Sequence, residues 1–191
     1  LTSALLFLAR HGETEWTVTR RHTGNTDVPL TPVGELQAVE LGQLLTGVEP
    51  DRVLSSPLTR AVATARLAGF EDRVEQVAAL QEFDYGEYEG LTSDEIRAKR
   101  PDWDLFRDGC PGGETPAEVA ARVRPLLDEI VTAGRRVILF GHGHCLRILA
   151  ATYLGLEPAA ARHLFLDTAS LSLLGTEHDW PAIRHWNQVA R

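Results

Sequence analysis

"LLFLARHGETEW", residues 5–16, sets the plan of this chain. Leu5 to Ala9 form a continuous apolar run, the pattern of a strand covered on both faces. The run ends on two adjacent cationic or near-cationic side chains, Arg10 and His11, followed at once by Gly12. In open α/β sheets ligands sit beyond the carboxyl ends of the strands. The strand is therefore expected to carry the two side chains to the floor of a pocket. Gly12 is expected to let the chain turn sharply and keep its backbone near a ligand.

Working outward, apolar strands alternate with capped helices. Thr31-Pro32 joins an N-cap to a first-turn proline and predicts a helix to about Leu45. "DRVLSS", 51–56, predicts a second strand. Ser56-Pro57 repeats the cap-plus-proline signal and predicts a helix over "PLTRAVATARLAG", closed by Gly69. "RVEQVAAL", 73–80, reads as a third strand. Thr92 caps a short helix, "TSDEIRAKR", and "TPAE", 115–118, is a capping box that launches a helix to Thr132. "RRVILFG", 135–141, is a second fully apolar strand, and 145–154 reads as a helix. "HLFLDTASLSLLGTE" and "AIRHW" alternate as edge or antiparallel strands. This order predicts a three-layer α/β fold: a mixed, mainly parallel central sheet with helices on both faces. No repeat or linker interrupts it, and residues 1–191 read as a single domain.

Composition narrows the function. The net charge of −8 argues against a nucleic-acid partner, which calls for a basic field, so any anion must be drawn by a local cluster of cations. The apolar run at the N-terminus is too short to cross a membrane, and no small-residue cleavage site follows it. The chain begins at Leu1 and contains no methionine, which reads as removal of an initiator. Two cysteines, Cys110 and Cys145, make no disulfide framework; they read as small apolar residues in a reducing cytoplasm. Oligomeric state stays open, a homo-oligomer included.

Charged residues recur at the strand ends. His142 follows the strand 135–141, and Arg60 lies in the first turn of the helix leaving the second strand. Arg10, His11, Arg60 and His142 thus converge on one expected crevice. Two arginines and two histidines suit an oxyanion with several charged oxygens, phosphate above all. A histidine there can attack phosphorus. The departing alkoxide then needs an acid and the arriving water a base, and one carboxyl with a raised pKa serves both. Glu82, in "LQEFDYGEYEG", is the candidate, in competition with Glu13, Asp84 and Glu87. Glu13 reads as orienting a neighbour.

"RHGETEW", "SPLTRA", "LQEFDYGEYEGL" and "GHGHCLR" resemble, in order, the four motif blocks of the histidine phosphatase superfamily, the branch that includes the cofactor-dependent phosphoglycerate mutases. The resemblance implies a phosphoglycerate mutase-like fold and a phosphohistidine at His11. Arg10, Arg60 and His142 would hold the phosphoryl oxygens and Glu82 would donate the proton. It makes Thr23 and Gly24 substrate contacts, with His22, Gly143 and His144 completing the candidate binding set. His144 either lines the pocket or bonds the first turn of its helix. Arg20, Arg21, Arg107 and Arg147 read as surface charges, with one or two available for the far end of a substrate. Glu114 reads as fixing its helix start, and Trp16 and Trp103 as packing. The family needs no metal, no metal-binding spacing is found, and no cofactor is expected.

The mutases carry a long insertion with an Arg-Arg pair after the glutamate block, and an asparagine after "RHGExxW". Segment 91–114 here is short and lacks that pair, and Thr17 stands at the asparagine position. "RHTGNTDVPLTPVGELQ", "FRDGCPGGET" and the doubled "HGH" instead resemble sedoheptulose-bisphosphatase-type enzymes and actinobacterial acid phosphatases. The expectation is a phosphatase acting on small phosphorylated metabolites such as sugar phosphates. The alternatives are a mutase-type phosphotransferase and a non-catalytic phosphate-binding module.

Overall fold

A computed structural model describes residues 4–190. In chain order the elements are β1 (Leu5–Arg10), α1 (Glu15–Val18), α2 (Pro32–Leu44), β2 (Arg52–Ser55), α3 (Thr59–Ala65), β3 (Val74–Gln76), α4 (Ser93–Lys99), α5 (Leu105–Asp108), α6 (Pro116–Thr132), β4 (Arg136–Gly141), α7 (Gly143–Tyr153), β5 (Leu171–Glu177) and β6 (Trp180–Gln188). The six strands form one sheet in the order β3-β2-β4-β1-β5-β6. The first four run parallel; β5 is antiparallel to β1, and β6 to β5. The fold is the three-layer α/β arrangement expected from the sequence.

Side chains alternate across each strand, so a run with no polar member must be covered twice. Leu6 and Leu8 of β1, Val137 and Leu139 of β4 and Leu54 of β2 pack with Val123 and Leu127 of α6 and Leu146 and Leu149 of α7. Ala9, Ile138, Phe140 and Val53 face the other way, against Leu41 of α2 and Ala65 of α3. The chain leaves β1 through α2 toward β2, and leaves β4 through α7 toward β5. These neighbouring strands therefore send their connections in opposite directions over opposite faces, which opens a crevice at their carboxyl ends. Arg10 of β1 is in register with Gly141 of β4, so His11 and His142 leave the sheet side by side.

Three expectations need correction. The third strand stops at Gln76, and Ala78–Leu80 is a 3-10 turn that buries Leu80 and leads the chain back toward Glu82. Ser56 does not cap α3, whose cap position is Leu58. Asp27 reaches in from a distant loop instead, accepting the Thr59 N–H at 2.9 Å and its hydroxyl at 2.8 Å. The helix expected at 145–154 starts two residues earlier, at Gly143, which puts His142 at its cap position and His144 in its first turn.

Candidate active site

His11 is 3% exposed. Its Nδ1 lies 2.7 Å from the Gly12 carbonyl. A carbonyl only accepts, so Nδ1 carries the proton and the neutral ring keeps a bare Nε2. Burial, then Arg60, then Arg10 hold the His11 pKa well below its ordinary value. Gly12 serves packing rather than a sharp turn: a Cβ there would meet the Gly34 carbonyl of α2 at 2.3 Å. That contact lets α2 press directly on the strand end that carries His11.

Behind His11 stands His142, with ring centroids 5.1 Å apart. Arg60 Nε donates to His142 Nδ1 at 3.2 Å, so Nε2 bears the proton and donates to Ser56 Oγ at 2.8 Å. Ser56 Oγ also accepts the Leu58 N–H at 3.3 Å, which fixes the turn that leads into α3. Burial, followed by Arg60, His11 and Arg10, lowers the His142 pKa well below the ordinary value. Arg60 is 0% exposed. Its remaining bonds tie down one loop, reaching the carbonyls of Thr26 at 3.0 Å, Thr23 at 3.0 Å and Gly24 at 2.9 Å. Glu89 grips the same loop through the Gly24 N–H at 2.9 Å and the Thr26 N–H at 3.0 Å. A Cβ on Gly24 would strike the Phe83 carbonyl at 2.7 Å, so this glycine allows the loop to lie on the segment that carries Glu82.

Arg10 donates through Nη1 to the Leu166 carbonyl at 2.5 Å, while its buried Nε has no hydrogen-bond partner among the described residues. Burial lowers the Arg10 pKa, and Glu82 opposes that shift. Glu82, 6% exposed, accepts three backbone N–H groups: Phe83 at 2.8 Å and Cys145 at 2.8 Å on Oε1, and His144 at 3.0 Å on Oε2. Two of these donors are first-turn amides of α7, whose helix dipole also favours negative charge there.

Arg10, His11, His22, Thr23, Glu82, Gly143 and His144 all line one cavity of about 710 Å³. Arg60, His142 and Gly24 are not among its lining residues; they stand behind His11 and the 23–26 loop. His22 donates from Nδ1 to the Leu91 carbonyl at 2.7 Å. Its ring packs edge-on against Tyr85 and Trp103 and faces His144 at 6.2 Å. His144 lines the cavity and meets the Tyr85 hydroxyl at 2.5 Å through Nδ1. Burial is the first cause of a lowered pKa in both His22 and His144.

Of the distal arginines, Arg20, Arg21 and Arg147 reach the cavity, whereas Arg107 lies outside it and pairs with Asp108 at 2.7 Å. Arg147 is stacked 4.6 Å over the Phe106 ring. Glu13 accepts the Thr31 hydroxyl at 2.7 Å and thereby steadies the start of α2. Trp103 both packs and lines the cavity, its indole N–H donating to the Gly109 carbonyl at 2.9 Å. Tyr85, Phe106 and Arg97 are lining residues that sequence reasoning missed. Tyr85 had a signal, three residues past Glu82 in the same motif block. Phe106 and Arg97 sit on short helices whose placement no local pattern reveals. Among the described residues no cluster of His, Cys, Asp and Glu is arranged to hold a metal ion, and no helix is long and apolar enough to cross a membrane.

The family model for the histidine phosphatase superfamily, branch 1, matches residues 6–189. The chain belongs to that superfamily. An acid phosphatase of Mycobacterium tuberculosis is 41% identical over 179 residues, covering 91% of this chain and 87% of that protein. A sedoheptulose 1,7-bisphosphatase of Saccharomyces cerevisiae is 34% identical over 182 residues, covering 78% of this chain and 67% of its own. A protein of Photorhabdus laumondii named "Probable phosphoglycerate mutase GpmB" is 34% identical over 185 residues, covering 91% and 85%. A solved structure of the open reading frame Rv3214 from Mycobacterium tuberculosis superposes with a TM-score of 0.93 at 37% identity, covering 98% of this chain and 99% of that one.

Proposed function

We propose that the protein hydrolyses phosphomonoesters of small metabolites, sugar phosphates among them, through a phosphohistidine on His11. The observation that carries this reading is the state of His11. It is a buried ring whose Nδ1–H is spent on Gly12, leaving Nε2 bare in a cavity that also presents Arg10 and Glu82. Arg10 Nε, buried without a partner among the described residues, is a donor that a phosphoryl oxygen would satisfy.

In the first step the Nε2 lone pair bonds to phosphorus and the P–O bond to the alkoxide breaks. The phosphate charge of a bound substrate beside Glu82 favours its acid form, which gives its proton to that oxygen, so the product leaves as an alcohol. In the second step water attacks phosphorus, Glu82 as carboxylate takes its proton, and the N–P bond breaks to release inorganic phosphate. The positive charge of Arg60 acts on the phosphoryl group from behind His11, His142 holds Arg60 in place there, Gly24 sets the course of the 23–26 loop, and Thr23, His22, Gly143 and His144 shape the substrate side. Positive charge comes from side chains, so the reaction proceeds without a metal ion. Cys110 and Cys145, both buried free thiols, suit a reducing cytoplasm. Residues 1–191 act as one domain in this reading.

A mutase would use the same His11 and Glu82. The segment that distinguishes the two readings, 91–114, is taken up by α4, α5 and the turns around them, and it offers no Arg-Arg pair. Without added bisphosphate and with excess EDTA, the protein is expected to release phosphate from sugar phosphates and to leave 2- and 3-phosphoglycerate unexchanged. Isomerisation that requires a bisphosphate, or activity that needs a divalent ion, would overturn the reading.

A further inference from the structure

Glu82 can serve two proton transfers only if its backbone is held still, and the residues that hold it lie outside every motif block. Arg122, in the middle of α6, uses all five of its N–H donors within the protein. Nε donates to Glu114 Oε1 at 2.7 Å and Nη2 to Glu114 Oε2 at 3.1 Å, a two-toothed ion pair. Nη1 reaches the Ala79 carbonyl at 2.7 Å and Nη2 the Glu82 carbonyl at 3.0 Å. The last donor, on Nη1, meets Cys145 Sγ at 3.6 Å. Glu114 completes the frame from the other side. Its Oε2 accepts the Asp84 N–H at 2.9 Å, and its own N–H donates to the Asp84 carbonyl at 2.8 Å.

The pair therefore grips the chain before, at and after Glu82, at residues 79, 82 and 84. It also touches Cys145, whose N–H holds the Glu82 carboxyl. Neither member lines the cavity or bonds the Glu82 carboxyl itself. Glu114 sits one residue before the α6 cap Thr115, so the longest helix of the protein anchors the frame. We infer that Arg122 and Glu114 are positioning residues for the acid-base step, fixing the Glu82 carboxyl against the first turn of α7. This rests on the assignment of Glu82 made above. Arginine is required rather than lysine, because a single ammonium cannot span the bidentate pair and two carbonyls at once.

Displacing a catalytic group through its support typically costs about 10²-fold or less. Arg122→Met and Glu114→Gln are expected to lower kcat about 10–10²-fold on a glycerol phosphate, whose leaving group needs a proton. The phosphorylation burst with p-nitrophenyl phosphate, which needs little protonation, should change less than about 3-fold. Arg122→Lys should behave as Arg122→Met. In a Glu82→Gln background, Arg122→Met should add less than about 2-fold, since its effect acts through Glu82. Equal losses on both substrates, or full additivity with Glu82→Gln, would show a merely structural role and overturn the inference. So would full restoration by Arg122→Lys. If Arg122→Met does not fold, Glu114→Gln and Arg122→Lys carry the same comparison. A Glu82→Gln enzyme of wild-type activity would instead overturn the assignment of Glu82 itself.

Discussion

Arg60 shows how much one buried side chain can do here. It stands in a site where burial works against its charge and Glu82 is the first group to offset that. Its guanidinium holds the His142 tautomer, lowers the His11 pKa and fixes three carbonyls of the 23–26 loop. Arg60→Ala is expected to cut kcat/KM about 10²–10³-fold, because it removes the positive charge behind His11 together with the support of His142 and the 23–26 loop. Near-wild-type turnover of p-nitrophenyl phosphate by Arg60→Ala would separate Arg60 from the chemistry. The residue was legible as a site candidate because it opens the helix after β2. Its work on the loop was not, since those partners come from a segment more than thirty residues away.

At the scale of elements, local rules carried far where the partner was also local. The caps of α4 and α6 fall on the residues expected, Thr92 and the Thr115–Glu118 box, and the structure adds Glu95 as the reciprocal partner of Thr92. Thr92→Ala should therefore destabilise the protein by about 1 kcal/mol in urea unfolding. A loss below about 0.3 kcal/mol would mean that tertiary contacts alone hold α4. The continuous apolar runs of β1 and β4 were equally plain, because double burial leaves no polar position. Reading failed where a distant group replaced a local one. Ser56 is a cap residue by type, yet α3 starts only at Thr59, so Ser56 holds the Leu58 N–H and His142 while Asp27 takes the first N–H of the helix. "RVEQVAAL" reads as one strand up to Leu80, yet the chain turns after Gln76, where two alanines follow Val77, to bring Glu82 under α7. Arg122 carried no signal and Glu114 was read only as fixing the start of its helix, since the backbone groups the pair holds at 79, 82 and 84 come from another part of the chain.

The whole molecule concentrates its buried titratable groups around one cavity, and stability should register this. His11, His22, His142 and His144 all have pKa values lowered in the folded state, with burial the first cause in each. Their unfolded values lie near about 6.5, so below that pH the unfolded chain binds protons that the folded chain refuses. The stabilisation is complete above that point and drains away as pH falls toward the lowered values. Tm is expected to drop between pH 7 and pH 5, before the Asp and Glu side chains titrate; a flat Tm over that interval would contradict neutral burial of these rings. The same arrangement keeps His11 unprotonated for attack, and that is the central claim. It is tested most directly by mixing Glu82→Gln enzyme with p-nitrophenyl phosphate, quenching in alkali and mapping the bound phosphate. Phosphate on His11 that survives base and is lost in acid, with no label and no turnover in His11→Ala, is the predicted result. An acid-stable phosphoserine, label on another histidine, or an active His11→Ala would contradict it.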